Sequence, residues 1–215
     1  MSERDFTTRA FTVGFSGPPG SGKTSLLLAL CRALGGDVAL GVVTTELTTT
    51  EDAERLVGAR VVPAERLRAV TTGGSPSVDA ATLRAIDELM RAVRPELVLV
   101  ERLGGSLEVA CSAELFDYVV CVVDAAGGEQ VIRKGGAVLT DADLLVVNKT
   151  DLAALVGAQP ERMAADALAR RAGKPTSFTQ ASSGVGVEEV VSHLLGAWRE
   201  AVLRAAQGFL QPKPS

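Results

Sequence analysis

The sequence predicts an α/β fold in which a doubly wound, mostly parallel sheet carries helices on both of its faces. Short apolar runs alternate along the chain with longer segments of helical period, which is the order of strands joined by crossover helices. The runs are apolar at successive positions, as in parallel strands that are covered on both faces. A length of 215 residues suits a single domain with an ample core.

The apolar runs are the predicted strands, and the segments between them contain the predicted helices. Gly35-Gly36 closes the first helix, Thr50 caps the second, and Pro95 stops the third. Strands are predicted at residues 11–15, 38–43, 67–71, 97–101, 118–124, 144–148 and 176–179. Helices are predicted at 25–34, from 51 onward, at 83–93 with Leu83, Ile86, Leu89, Met90 and Val93 on one face, at 161–171 and at 187–206. We expect an N-terminal arm at 1–10, one domain at 11–206 and a loose C-terminal tail at 207–215.

Composition restricts the classes of partner. Aromatic residues make up only 4% of the chain against 47% hydrophobic residues, so the core should consist of Val, Leu and Ala. A net charge of −4 without a basic stripe argues against nucleic acid, and no apolar run is long enough to span a bilayer. The cysteines Cys31, Cys111 and Cys121 are odd in number and far apart, which indicates reduced thiols and a cytoplasmic location. Residues 1–5 show no secretory signal.

A phosphate-binding loop fills residues 17–24, between the first predicted strand and the first predicted helix. It has a Gly, four free positions and then Gly-Lys-Thr, so every fixed position of the P-loop pattern is filled. Its backbone N–H groups and the helix N-terminus would bind phosphate, Lys23 would reach the β- and γ-phosphates in catalysis, and the Thr24 hydroxyl would hold Mg²⁺. The alternative, a glycine-rich turn ending in Lys-Thr by chance, is disfavoured by the flanking strand and helix. The predicted phosphate-binding residues are Gly17, Pro18, Pro19, Gly20, Ser21, Gly22, Lys23, Thr24 and Ser25.

A second motif, Asn148-Lys149-Thr150-Asp151, directly follows a predicted strand and matches the Asn-Lys-x-Asp pattern that recognises guanine in P-loop GTPases. The ionised Asp151 carboxylate only accepts hydrogen bonds, so it can pair with the ring N–H and the exocyclic amine of guanine, which adenine does not offer together. The Lys149 stem can cover the base, and Asn148 can tie this loop to the phosphate loop. Alone, the tetrad often marks only a strand-to-loop turn, but after a complete phosphate loop it favours guanine. Residues 179–184 are a candidate second wall of the base pocket, with Ala181 contributing a backbone N–H.

Hydrolysis of the bound nucleotide also needs a metal ion, a positioned water and charge stabilisation. Glu101 ends a predicted strand three residues before Gly104, which suits a segment that moves toward the γ-phosphate and orients a water on Mg²⁺. Glu46 is the second candidate for catalysis and Mg²⁺ binding, and Glu51 lies in the same polar segment. The alternative for each acid is a solvated loop charge. Since no Gln stands at a defensible water-orienting position, intrinsic turnover is expected to be slow.

Further short motifs extend the pattern over almost the whole chain, from about Phe11 to the closing helix. They are Glu51-Asp52-Ala53, Thr72-Gly73-Gly74, Arg133-Lys134-Gly135-Gly136, residues 143–152 and Val156-Gly157-Ala158. With them the sequence resembles the UreG-type urease accessory GTPases, SIMIBI-class P-loop proteins related to the hydrogenase maturation GTPases. The resemblance implies a GTP-binding switch that dimerises with nucleotide and takes part in nickel insertion with urease accessory proteins or the apo-enzyme.

The chain departs from that family at its metal and switch motifs. The family carries nickel on a Cys-Pro-His motif after Thr-Gly-Gly, but this chain has Ser75-Pro76-Ser77, and neutral hydroxyls are poor nickel ligands. We therefore expect no nickel site there, and the lone His193 in the closing helix does not replace it. Where the family has Thr-Asn-Asp this chain has Thr44-Thr45-Glu46, and Arg102 after Glu101 is new. Arg102 would either contact phosphate or form a surface pair.

The sequence thus predicts a GTP-binding, slowly hydrolysing protein that assists maturation of a metalloenzyme, foremost urease, after losing its own nickel motif. The expected cofactors are GTP or GDP with Mg²⁺, and nickel is doubtful. The expected assembly is a homodimer with GTP or a mixed dimer with an intact relative. The alternative is a metal-independent, nucleotide-dependent scaffold or a paralogue serving another client, with little hydrolysis. The guanine tetrad weighs against a small-molecule kinase.

Overall fold

A computed structural model describes residues 6, 9–46, 51–71, 78–102, 107 and 115–209. The strands in this part of the chain are β1 Phe11–Ser16, β2 Leu40–Glu46, β3 Leu67–Thr71, β4 Leu97–Glu101, β5 Tyr118–Asp124, β6 Leu144–Asn148 and β7 Thr176–Phe178. The α-helices are α1 Lys23–Leu34, α2 Glu51–Gly58, α3 Val78–Val93, α4 Gln130–Lys134, α5 Ala137–Asp141, α6 Pro160–Arg170 and α7 Val187–Phe209. The strands form one parallel sheet in the order β3-β2-β4-β1-β5-β6-β7. The predicted α/β fold is confirmed.

Helices cover both faces of the sheet, because successive residues of a strand point to opposite sides. In β4, Leu97 and Leu99 pack in one core cluster with α1, α2 and α7. The alternating residues Val98 and Val100 pack on the other face against α3. Cys121 of β5 also faces that side, in a third cluster with α4, α5 and α6. The apolar strands are therefore buried on both sides, as their composition predicted.

Strands β3 to β6 match their predicted bounds, but β2 lies further along the chain than predicted. The sequence placed this strand at 38–43 and left residues 44–46 in a polar segment, whereas the ladder continues through Glu46. Thr44 and Thr45 are only 0% and 2% exposed, because β3 pairs with β2 through Glu46 while β4 pairs with Thr44 and accepts a hydrogen bond from the Thr45 hydroxyl. Backbone pairing with two neighbours therefore outweighs the polarity of the side chains.

The helices differ from prediction in several respects, and α3 begins at Val78 rather than near residue 83. In α3, Leu83 was expected on the buried face but is 48% exposed, because the helix turns Thr82, Ala85, Ile86 and Leu89 toward the sheet. Helices α4 and α5 were not predicted, and α7 continues to Phe209 instead of ending near residue 206. No helix in the described ranges has the length and apolarity that a membrane span needs.

The two cysteines that the structure describes, Cys31 and Cys121, are buried thiols. Burial raises the pKa of the Cys31 thiol to about 12. Since a metal ligand or nucleophile must be a thiolate, Cys31 acts as a core residue. Cys121 is 0% exposed in the cluster that packs against α5 and α6, which agrees with its place in a predicted strand that is covered on both faces. Cys111 lies outside the described residues.

Candidate nucleotide-binding site

Four neighbouring strands end at the same edge of the sheet, and each end carries or leads into a polar group. β1 leads into the loop at 17–22, β4 ends at Glu101, β5 at Asp124 and β6 at Asn148. The ends are in register, since Phe15 pairs with Glu101 and Asp124 pairs with Asn148. Open parallel sheets bind their ligands at this carboxyl edge.

The phosphate-binding loop requires glycine where it turns. Gly17, Gly20 and Gly22 have φ angles of +144°, +76° and +90°. A Cβ atom on Gly17 would lie 2.0 Å from the backbone oxygen of Val122, and one on Gly22 would lie 2.2 Å from Nδ2 of Asn148. The loop thus packs against β5 and against the Asn148 side chain at distances that only glycine permits.

Lys23, the first residue of α1, is turned back onto the loop that precedes it. The residue is 6% exposed, and its Nζ donates hydrogen bonds to the backbone oxygens of Gly17 and Pro18, each at 3.1 Å. Its positive charge therefore lies within the loop whose N–H groups are predicted to bind phosphate. The same N-terminal turn of α1 adds the partial positive charge of the helix.

Thr24 and Glu101, two of the predicted Mg²⁺ ligands, contact each other directly. The Thr24 hydroxyl donates a 2.7 Å hydrogen bond to Oε1 of Glu101, and the two residues are 8% and 4% exposed. Thr45 donates to the backbone oxygen of Glu101 at 3.1 Å and so joins β2 to the same point. A hydroxyl next to a carboxylate is an all-oxygen donor set, which fits Mg²⁺.

The other predicted metal and switch residues are described only in part. Glu46 ends β2 and pairs with Thr71 of β3, so its backbone lies two residues beyond Thr44, the partner of Glu101. Its side chain is outside the described atoms, as are residues 72–77, with the Ser75-Pro76-Ser77 segment, and residues 103–106. Their roles stay predictions.

Asn148 links the base-recognition loop to the phosphate loop through three hydrogen bonds. Its Nδ2 donates to the backbone oxygen of Ser21 at 3.1 Å. Its Oδ1 accepts from the Thr179 hydroxyl and from the backbone N–H of Ala181, both at 3.0 Å. Asn148 is 2% exposed, and one buried amide therefore joins the loops after β1, β6 and β7.

Lys149 and Asp151 follow with different surroundings. Lys149 has a left-handed backbone (φ 59°, ψ 41°), and its Nζ lies 2.6 Å from Oδ2 of Asp124. Asp151 is exposed in the first turn of a short 3₁₀ segment, Thr150–Val156. This exposure leaves the Asp151 carboxylate open to a ligand at the surface.

Ala181 lies beside Asn148, in the segment that the sequence proposed as a second wall. A base contact through its N–H would require that group to be shared with Oδ1 of Asn148, which already accepts from it. The turn is held by backbone bonds in which Gln180 and Val185 pair. The contribution of Ala181 to base binding stays a prediction.

Arg102 points away from the phosphate loop. Its guanidinium Nη2 lies 3.3 Å from Oδ1 of Asp79 in the first turn of α3, and its Cζ lies 5.9 Å from the ring centre of Phe116. Glu101 contacts Thr24 on the α1 face, whereas Arg102 follows on the opposite face. Of the two predicted alternatives, the structure shows the surface pair.

Sequence reasoning missed the partners that hold these residues. It gave Asp124, the last residue of β5, no role, and it did not connect Thr179 to Asn148. Both partners become visible only when the strand order is known. Within the described residues no group of three or more His, Cys, Asp and Glu could hold a metal ion, and His193 is partly buried in α7.

A parallel sheet with a Gly-x-x-x-x-Gly-Lys-Thr loop between β1 and α1 defines the P-loop class of nucleotide-binding proteins. A family model described as CobW/HypB/UreG, nucleotide-binding domain, matches residues 11–178. The urease accessory protein UreG 1 of Streptomyces griseus subsp. griseus is 45% identical over 203 residues, covering 90% of this chain and 87% of that protein. The chain therefore belongs to the CobW/HypB/UreG family, as the resemblance to UreG predicted.

Solved structures of the hydrogenase maturation factor HypB support the fold. HypB from Archaeoglobus fulgidus has a TM-score of 0.73 at 26% identity, covering 88% of this chain and 90% of that one. HypB from Helicobacter pylori, solved in complex with nickel, has a TM-score of 0.76 at 20% identity, covering 97% and 93%. The match extends over nearly the whole of both chains.

Proposed function

We propose that this protein is a GTP-binding, slowly hydrolysing accessory protein that assists the maturation of urease, with its own nickel motif lost. The observation that carries the proposal is the 45% identity to a urease accessory protein over 90% of the chain. The assembled edge of the sheet supports the nucleotide part, since Thr24 contacts Glu101 and Asn148 contacts the phosphate loop.

The chain's own residues would divide the work on the nucleotide. The loop from Gly17 to Ser25 binds the phosphates through its N–H groups, and Lys23, whose Nζ is held at the loop by two backbone carbonyls, donates to phosphate oxygens. Asn148 keeps the base loop in place while Asp151 accepts the guanine N–H groups and Ala181 closes the far side. Thr24, Glu101 and Glu46 would hold Mg²⁺, which neutralises charge on the β- and γ-phosphates.

Slow hydrolysis is expected because the segments around Glu46 and Glu101 lack a residue that is suited to orient water. Neither residues 40–52 nor residues 97–106 contain a Gln that could orient the attacking water. Glu101 is then the residue that positions water, and its direct contact with Thr24 ties that role to the metal site. We infer that partners in the cytoplasm, either a second copy or an intact relative, raise the rate by completing the site.

The leading function and the alternative differ in whether the chain acts in a process that delivers nickel. Ser75 and Ser77 offer neither thiolate nor imidazole. In the leading proposal another accessory protein carries nickel to urease, and this chain supplies the GTP-dependent step. In the alternative the chain is a metal-independent scaffold or serves another client.

The first test is nucleotide binding by the purified protein with GTP, ATP and Mg²⁺. We expect binding of GTP at least about tenfold tighter than ATP, and loss of about tenfold or more in Lys23→Ala. Lys134→Ala is the matched control, because Lys134 is an exposed lysine outside the site. Equal affinity for GTP and ATP, or an unchanged Lys23→Ala, would contradict the proposal.

The second test separates the two functions by calorimetry with nickel and zinc, with and without GTP and Mg²⁺. No metal binding in protein that binds GTP supports the loss of the nickel motif. One ion per two chains only with GTP would show a replacement site and overturn that part. Urease activation in a strain lacking the intact relative then distinguishes the urease client from another one.

A further inference from the structure

Asp124 stands at the end of β5 with both carboxylate oxygens engaged. Its Oδ1 accepts a 2.7 Å hydrogen bond from the backbone N–H of Ala126, and its Oδ2 lies 2.6 Å from Nζ of Lys149. The ladder places Asp124 directly opposite Asn148, the residue before Lys149. The Asp124 carboxylate is therefore held by a backbone N–H just after its own strand, and it pairs with Lys149 of the base-recognition loop.

The backbone conformation of Lys149 is unfavourable, and the contact with Asp124 helps to hold this residue in place. Its φ of 59° lies in the left-handed region, which costs free energy for a residue with a side chain. Its stem also runs past the phosphate loop, since Cε lies 3.8 Å from the position of a Cβ on Gly22. An untethered lysine at this place would sample many rotamers and lose that freedom when a base covers it.

We infer that Asp124 is a positioning residue for guanine nucleotide binding, acting through Lys149. The inference rests on the proposed function, since it needs a nucleotide at this edge of the sheet. By holding the ammonium, Asp124 keeps the aliphatic stem extended between the two loops as a preformed surface for one face of the base. The ordering of the side chain is then complete before the nucleotide binds, which raises affinity.

Four variants separate this role from a purely structural one. Asp124→Asn retains an oxygen for the Ala126 N–H but loses the charge that attracts Lys149, and Asp124→Glu restores the charge. Lys149→Met keeps an unbranched stem without the ammonium. The double variant Asp124→Asn with Lys149→Met tests whether the acid acts through the lysine. Asp143→Asn is the matched control, because Asp143 also accepts a backbone N–H, from Val119 at 2.8 Å, at the opposite end of the sheet.

The measurement is the dissociation constant of a fluorescent GDP, with the melting temperature recorded for each variant. We expect Asp124→Asn to weaken binding about tenfold, and Asp124→Glu to recover part of the loss. In the Lys149→Met background the added Asp124→Asn change should weaken binding by no more than about twofold. The loss in Asp124→Asn should also shrink at high salt, because the pair is partly exposed.

Two outcomes would overturn the inference while the proposed function stands. One is Asp124→Asn binding guanine nucleotide within about twofold of the unchanged protein. The other is a full, additive loss in the double variant, which would mean that Asp124 acts independently of Lys149. An unchanged protein that does not prefer guanine to adenine nucleotide would instead overturn the proposed function, and this inference with it.

Discussion

The two halves of the candidate site are built in different ways. The phosphate half consists of backbone at positive φ angles, with Lys23 bonded to the carbonyls of its own loop. The base half is organised by side chains, since Asn148 makes three hydrogen bonds and Lys149 is paired with Asp124. Asn148 joins the halves through the backbone oxygen of Ser21.

This difference indicates which half of the site would change its hydrogen bonds if a nucleotide binds as proposed. Under the proposed function, Lys23 and the backbone N–H groups of the loop would donate to phosphate oxygens, so the phosphate half would change its hydrogen bonds. The base half would keep its contacts, because the hydrogen bonds of Asn148 use none of the groups predicted to contact guanine except the shared N–H of Ala181. Under the proposed function, base recognition would therefore be preformed, whereas phosphate binding would form new hydrogen bonds at the loop before α1.

The largest effect is expected from Gly17→Ala in the phosphate half. The new Cβ would lie 2.0 Å from the Val122 backbone oxygen at a φ of +144°, so β5 or the loop must shift. We expect a loss of about 3–5 kcal/mol in the free energy of unfolding, measured with urea, and loss of nucleotide binding.

Gly20→Ala is the matched control for that substitution. Gly20 also has a positive φ, +76°, but nothing lies within 4 Å of its Cβ position. Only the left-handed backbone is then penalised, at about 1 kcal/mol. Equal losses for Gly17→Ala and Gly20→Ala would show that contact with β5 does not set the shape of the loop.

The second effect is expected from Asn148→Ala, which disconnects the halves. The change leaves the Ala181 N–H and the Thr179 hydroxyl without their acceptor in a buried place, so we expect a loss of about 2–4 kcal/mol in urea unfolding. Affinity for GTP should fall as well. The control is Ser177→Ala, because the buried Ser177 hydroxyl has no hydrogen-bond partner among the described residues and its removal should cost less than about 1 kcal/mol. A tolerated Asn148→Ala would mean that the two loops hold their positions independently.

These same residues show how much of the site can be predicted from the sequence. Glu101 and Asn148 are the last residues of strands whose apolar runs are clear in the sequence, so their position at the carboxyl edge of the sheet is predictable. The Asp124–Lys149 pair spans 25 residues and depends on β5 lying beside β6, which periodicity does not reveal. Helices α4 and α5 have five residues each, too few for a helical period to be recognised.

Burial of polar groups is the other thing that the sequence does not reveal. Thr44 and Thr45 have the polarity of a loop, but tertiary pairing makes them strand. Arg171 is 1% exposed, with its guanidinium donating to the backbone oxygens of Leu139 and Ala142. Such a charge is satisfied only by carbonyls that separate elements bring together.

The third effect tests the metal-binding part of the phosphate half. Glu101→Gln keeps an oxygen that can accept from Thr24 but removes the negative charge, so Mg²⁺ should be held less tightly. We expect about a tenfold weaker stimulation of GTP binding by Mg²⁺ and slower hydrolysis, with little change in binding without Mg²⁺. Glu96→Gln is the control, since Glu96 accepts from the Ala39 N–H at the opposite end of the same strand. An unchanged dependence on Mg²⁺ in Glu101→Gln would assign the metal to other ligands.

The smallest effect is expected from Arg102→Ala, which tests the assignment of the two faces of β4. Arg102 pairs with Asp79 at 3.3 Å with side chains 22% and 45% exposed, and such pairs contribute at most about 1 kcal/mol to unfolding. GTP affinity should stay within about twofold, because the guanidinium lies on the α3 face and Glu101 on the α1 face. Asp79→Ala should behave in the same way, and the double variant should cost no more than either single change. A loss of GTP affinity in Arg102→Ala but not in Asp79→Ala would mean that Arg102 leaves its partner to bind phosphate, and the part of the site that rearranges would then include the end of β4.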